Sequence, residues 1–228
     1  MTSAAGSWER FGTGALSRTA ALVHNLLVVE LLLRVTTLPG LVATALDRDV
    51  SNLPLVALCA LPAGPALSAA LYALHHRGSD LTDLRPAAAF LRGYRMNAGG
   101  ALLVWGFWLG WITVLAVNLA NLGASGLPGW WVVPMTLVGA GTTLWMLNAL
   151  VITSLFAFRA RDVARLAAYL LFRAPGVSLG NACLVVVVLG GVLAGSEAVV
   201  ALAGSLLALA LLSNSRRLIA VVRKEFTR

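Results

Sequence analysis

Glu30 and Arg34 lie inside an apolar run, four positions apart with the acid on the N-terminal side. In a helix that spacing puts both on one face together with Thr37, and the order acid-then-base is the favourable one for an i, i+4 ion pair. If the run crosses a membrane, two charged groups at that depth are costly and point to a function by default. Two roles are open to them. As a pair they form a neutral structural clamp turned into a helix bundle; unpaired in some state, Glu30 carries a proton, or binds a cation or a sugar hydroxyl.

A second candidate is Pro62, Gly64 and Pro65, crowded into the middle of another apolar run. Proline removes a backbone donor and clashes with the preceding turn, so a break is expected there. Broken helices that expose backbone groups near the bilayer midplane form substrate sites in transporters. Proline and glycine are also common in membrane helices without any such role, so a kink that serves packing is the plainer alternative. Trp105, Trp108 and Trp111 recur every three residues, with Trp145 on a later run. Indole faces stack on sugar rings, but helical spacing more often signals packing. Asn25, Asn148 and Asn181 are suited to hydrogen bonds between helices, and Gly106-x-x-x-Gly110 and Gly191-x-x-x-Gly195 to close helix approach, within the chain rather than between copies.

Other chemistry finds no constellation. His24, His75 and His76 have no acidic or thiol partners at metal-ligand spacing, and Cys59 and Cys183 fall at different depths. The sequence contains no P-loop, nucleophile elbow, zinc motif or paired carboxylates. The expectation is a protein with no catalytic residues, no metal and no cofactor.

The elements that carry these residues follow from composition. With 59% hydrophobic residues, 11% charged and a mean hydropathy of +0.87, the 228 residues are too apolar for a water-soluble domain. A crossing of about 30 Å of hydrocarbon takes about 20 helical residues, and backbone in lipid must satisfy its own hydrogen bonds. The chain is therefore expected to be all-α, a single membrane domain over 1–228 with about six transmembrane helices. The predicted spans are 20–46, 53–74, 98–119, 130–158, 177–193 and 198–212, the last two joined by a tight turn at Ala194, Gly195, Ser196 and Glu197. Trp130 and Trp131 open the fourth as interfacial anchors. The first span, with Arg10 and Arg18 before it, resembles a signal peptide, but its length and its two charges argue against one. Two short basic amphipathic helices, 84–96 and 159–173, are expected on the membrane surface, and 213–228 is expected to be a basic tail.

Charge sets the orientation. If the N-terminus is cytoplasmic, fifteen of the 17 Lys and Arg residues lie on the inner side, with Arg48 outside and Arg34 in the membrane. Positive-inside asymmetry then places both termini in the cytoplasm. It also accounts for the net charge of +8 without nucleic acid, which would need the cations gathered on one soluble face. At an offset of 79, Asp83, Ala88, Ala89, Phe90 and Leu91 align with Asp162, Ala167, Ala168, Tyr169 and Leu170. Either two parallel modules are duplicated, or basic loops ahead of spans have converged on similar residues.

The run Leu61-Pro62-Ala63-Gly64-Pro65-Ala66-Leu67-Ser68-Ala69-Ala70-Leu71-Tyr72, followed by Asp83 and by Ala89-Phe90-Leu91-Arg92-Gly93-Tyr94-Arg95, resembles the YesL-like family of bacterial membrane proteins. The stretch at 47–52 between the first two spans departs from that pattern. The resemblance implies a domain of unknown function associated with carbohydrate utilisation genes, and no catalytic residues. The expected function is thus a non-enzymatic accessory protein in the lipid bilayer of the cytoplasmic membrane, linked to carbohydrate uptake and in contact with a sugar ABC permease. The alternative is a small transporter or channel built on Glu30, Arg34 and the broken second helix.

Overall fold

The computed structural model describes residues 15–46, 52–77, 85–126, 128–194 and 203–226. Predicted features at 47–51, 78–84 and 195–202 lie outside the described residues, as do Arg10 and the start of the sixth span.

The protein is an all-α polytopic membrane bundle. Among the described residues the helices are α1 (Ala15–Leu46), α2 (Leu53–Cys59), α3 (Ala63–His75), α4 (Pro86–Ala120), α5 (Val132–Leu155), α6 (Ala160–Arg173), α7 (Pro175–Leu193), α8 (Gly204–Asn214) and α9 (Arg216–Phe226), with a short 3-10 turn at Gly129–Trp131 before α5. Five stretches are long and apolar enough to cross a membrane: Ser17–Gly40, Leu53–His75, Pro86–Ala120, Gly129–Leu155 and Pro175–Leu193. The sixth qualifies only as the pair α8 and α9, bent by 51°. At 11 residues, α8 alone rises about 16 Å, roughly half of the hydrocarbon.

The core is built around α3, the most buried helix. Gly64, Pro65, Ala66, Ser68, Ala69, Ala70, Leu71, Ala73 and Leu74 are all buried, and the small side chains let α1, α4 and α5 come close. Without a hydrophobic drive between helices in lipid, such close van der Waals packing is what holds a bundle together. A Cβ on Gly93 would lie 2.8 Å from the Tyr72 Cβ, and one on Gly100 would lie 2.8 Å from the Thr153 methyl. Large apolar side chains face outward instead, among them Leu27, Leu31 and Val35 of α1 and Leu179, Val186 and Val187 of α7. That inversion is expected where the surrounding solvent is hydrocarbon.

Two expectations need correction. First, 84–96 is not a separate interfacial helix: Pro86 begins a continuous 35-residue helix that runs through to Ala120. Proline suits the first turn of a helix, and no later proline interrupts the run. By contrast 159–173 does form its own helix, because the chain is extended at Phe156 and at Arg159 and Pro175 starts the next element. Second, 213–228 is not a free basic tail. Its residues 216–226 form α9, with Leu218, Ile219 and Val222 buried and its basic residues on the opposite side. The residues aligned at an offset of 79 sit in unlike environments: Phe90 is buried where Tyr169 is exposed, and Leu91 is exposed where Leu170 is buried. The sequence likeness therefore does not extend to matching helix faces.

Candidate functional site

Glu30 and Arg34 do pair, with Arg34 Nε donating to Glu30 Oε1 at 3.2 Å. The carboxylate is buried, while the Arg34 side chain is 38% exposed and reaches out of the bundle. Thr37 does not join them: its hydroxyl donates to the Leu33 carbonyl of its own helix at 2.8 Å. The partner that spacing within α1 does not disclose is α8. The backbone N–H of Ser205 donates to Glu30 Oε2 at 2.6 Å. Ser205 lies in the first turn of α8, where backbone donors have no partner within the helix and the dipole favours negative charge. A Cβ on Gly204 would meet both carboxylate oxygens at 3.6 Å, so the helix start lies in van der Waals reach of the acid. Glu30 thus ties the first span to the last.

The break in the second span falls between Cys59 and Ala63. At the break Trp105 Nε1 donates to the Ala60 oxygen at 3.0 Å, beside the Ala63 N–H that donates to it at 3.1 Å. Gly64 lies so close to Trp105 that a Cβ there would overlap the indole, and a Cβ on Gly106 would touch Leu61 at 3.5 Å. From the other side Gly40 of α1 approaches, with room for a Cβ only 3.2 Å from the Cys59 oxygen. α1 and α4 therefore pack directly against the break at Pro62. Gly110 has nothing within 4 Å and plays no part in this contact.

Two of the other polar candidates, Asn148 and Asn181, are engaged with each other and with Asn214. Asn181 Nδ2 donates to Asn148 Oδ1 at 3.1 Å, and Asn214 Nδ2 donates to Asn181 Oδ1 at 2.8 Å and to the Val177 carbonyl at 2.9 Å. This ladder joins α5, α7 and α8. A side chain at Gly180 would overlap the Asn214 carboxamide. Asn214 escapes detection in the sequence because it stands at the start of a polar, basic segment rather than isolated in an apolar one. The Asn25 side chain is buried, but its amide nitrogen has no hydrogen-bond partner. Near the basic end of the bundle, Ser154 and Ser68 share a hydrogen bond of 2.9 Å and Asn97 Nδ2 donates to the Ser154 carbonyl at 3.0 Å, satisfying a helix-end acceptor.

Trp105 and Trp108 pack with ring centroids 4.9 Å apart, and Trp111 is exposed. Trp108 Nε1 donates to Thr143 Oγ1 at 3.2 Å, and Trp145 Nε1 to the Ala164 carbonyl of α6 at 3.0 Å. Three of the four indole N–H groups thus serve contacts between elements. Trp130 and Trp131 stack at 5.0 Å at the start of α5. Among the described residues no three of His, Cys, Asp and Glu converge. One large cavity, of about 700 Å³, lies between α4, α5, α7 and α8, with Leu67 and Leu71 of α3 beside it.

The arrangement brings together Glu30, Arg34 and Ser205, and separately Gly64, Ala60 and Trp105; these two groups involve different elements. No family model, no curated protein and no solved structure matches the chain.

Proposed function

We propose that this chain is a non-enzymatic accessory protein of the cytoplasmic membrane, oriented with both termini inside, that assists carbohydrate uptake by contacting a sugar ABC permease. The observation that carries the accessory role is that, Asn25 apart, the polar groups singled out within the spans are bonded to protein: Glu30 to Arg34 and Ser205, the Ala60 carbonyl to Trp105, and Asn181 to Asn148 and Asn214. Such groups act as interhelical ties. Exposed cations stand on α6 and α9, among them Arg161, Arg165 and Arg217, and at the start of α4 at Arg92 and Arg95, and these are the surface offered to a partner. The carbohydrate link rests on the resemblance at 61–72 and 89–95. In the fold these two stretches pack on each other through Tyr72 and Gly93, which makes them a packing signature.

The test is in native membranes. Crosslinking followed by affinity purification of the full chain is expected to recover a sugar permease, and deletion of the gene to lower sugar uptake; isolation without a permease together with unchanged uptake would refute the role. The alternative, a small transporter or channel, draws on the partial exposure of Arg34 beside a buried acid. Liposomes containing the purified protein decide it: uptake of sugars or ions that Glu30→Gln abolishes would replace the accessory role with transport.

A further inference from the structure

Two unlike faces run along α6. Val163, Leu166, Ala167 and Leu170 are buried against the bundle. On the other side Arg161, Arg165, Ala168 and Phe172 follow at steps of four, three and four, a single line along the helix, and all four are exposed. Tyr169 flanks that line at 48% exposure, and Phe172 stands out at 83%. The face thus mixes cations with aromatic rings, whereas the exposed side of α9 is mostly charged.

Two hydrogen bonds fix where this face lies. Trp145 Nε1 donates to the Ala164 carbonyl at 3.0 Å, and Ser178 Oγ to the Leu171 carbonyl at 2.7 Å. Trp145 stands ten helical steps, about 15 Å, before the end of α5 at Leu155, more than an indole and one hydrogen bond cover. Ser178 is in the first turn of α7. α6 therefore rests beside the membrane-spanning lengths Gly129–Leu155 and Pro175–Leu193, not beyond their ends, and its outer face looks into the boundary of the bilayer.

At that depth the possible occupants separate. Water suits neither Phe172 nor Tyr169, whose rings are costly to leave hydrated. A second copy docked by the same face would bring Arg161 and Arg165 towards their own equivalents, since a two-fold interface pairs a patch with itself. Hydrocarbon alone leaves the guanidiniums without acceptors, which is expensive. Among the described residues no carboxylate stands within ion-pair distance of either, and α6 carries Arg161, Arg165 and Arg173 against a single acid, Asp162. A phospholipid meets these demands together. Its phosphate accepts from guanidinium in the bidentate geometry that arginine favours, and the region just below the headgroup receives aromatic rings. With the charge on the helix unbalanced, a lipid of net negative charge fits better than a zwitterion.

We propose that the outer face of α6 is a binding site for an acidic phospholipid, its headgroup held by Arg161 and Arg165 and its upper chains lying against Tyr169 and Phe172. The assignment does not rest on the permease reading; a lipid held there would form part of the surface that any partner meets.

The full chain would be purified into micelles holding equal amounts of phosphatidylglycerol and phosphatidylethanolamine, and the lipids that stay bound read by native mass spectrometry. Wild-type protein is expected to retain phosphatidylglycerol over phosphatidylethanolamine by roughly fivefold, and the double variant Arg161→Gln, Arg165→Gln to fall near parity. Arg217→Gln, which removes an exposed charge of α9, should keep the wild-type preference. A second measurement leaves every cation in place: with a photoreactive phenylalanine analogue at Phe172, irradiation of native membranes should give a lipid adduct on α6 in which phosphatidylglycerol exceeds its share of the membrane. Parity in the wild type, an unchanged preference in the double variant, an equal loss in Arg217→Gln, or a protein adduct at Phe172 in place of lipid would overturn the site.

Discussion

At the scale of single residues, Glu30 shows how a costly group becomes a structural one. Its two oxygens face two different partners, a guanidinium on its own helix and a backbone N–H on α8. Removing one member of a buried polar set strands the others, which costs on the order of 1–3 kcal/mol for each unsatisfied group. Glu30→Leu is therefore expected to lower the thermal midpoint in detergent, followed by tryptophan fluorescence. Glu30→Gln should do so much less, because an amide oxygen still accepts from Ser205. Arg34→Leu should also be mild, since that side chain is already 38% exposed and an exposed ion pair contributes little. In the double variant Glu30→Leu, Arg34→Leu the midpoint should be no lower than in Glu30→Leu alone, as no charge is left without its counterpart. Equal midpoints for Glu30→Leu and the wild type would show that the acid does not hold α8.

Among the elements, α9 separates composition from structure most clearly. Five of its 11 residues are charged, which by itself describes a solvated basic tail. Yet Leu218 and Val222 are fully buried, with Ile219 beside them, one apolar stripe at helical spacing. Placing a charge on that stripe without a partner costs several kcal/mol, enough to undock a short helix. Leu218→Asp is expected to speed tryptic cleavage after Arg216, Arg217, Arg223 or Lys224 by tenfold or more, since about 1.4 kcal/mol of local stability already corresponds to tenfold. Ala220→Asp, on the exposed face, should leave the rate unchanged. Equal cleavage of Leu218→Asp and wild-type protein would mean that α9 is not docked. The second span tells a related story: Pro62 and Pro65 announce the break, but Gly40 and Trp105, from α1 and α4, are what packs against it.

For the whole molecule the governing quantity is the distribution of charge between the two ends of the bundle. Positive-inside asymmetry makes a directional prediction that cysteine labelling can read. With Cys59 and Cys183 replaced by alanine, Gly123→Cys in the turn after α4 has nothing within 4 Å of its new side chain and should react with a membrane-impermeant maleimide in intact cells. Arg161→Cys, exposed on α6, should react only after permeabilisation. Labelling of both in intact cells would contradict a membrane crossing between them, and the reverse order would invert the orientation.

Class and the placement of five long apolar segments were legible in the sequence itself, because hydropathy is a local sum that needs no knowledge of neighbours. The i, i+4 pair of Glu30 and Arg34 was legible for the same reason, as was the break at Pro62. Tertiary structure alone decided who meets whom: Ser205 lies 175 residues from Glu30, Trp105 lies 45 beyond Ala60, and Asn214 completes a ladder begun at Asn148. It also decided that 84–96 continues into α4 and that 216–226 folds back onto the bundle. Hydrocarbon makes an unpaired buried donor costly, but that cost states only that partners are favoured; their identity depends on which helices pack side by side.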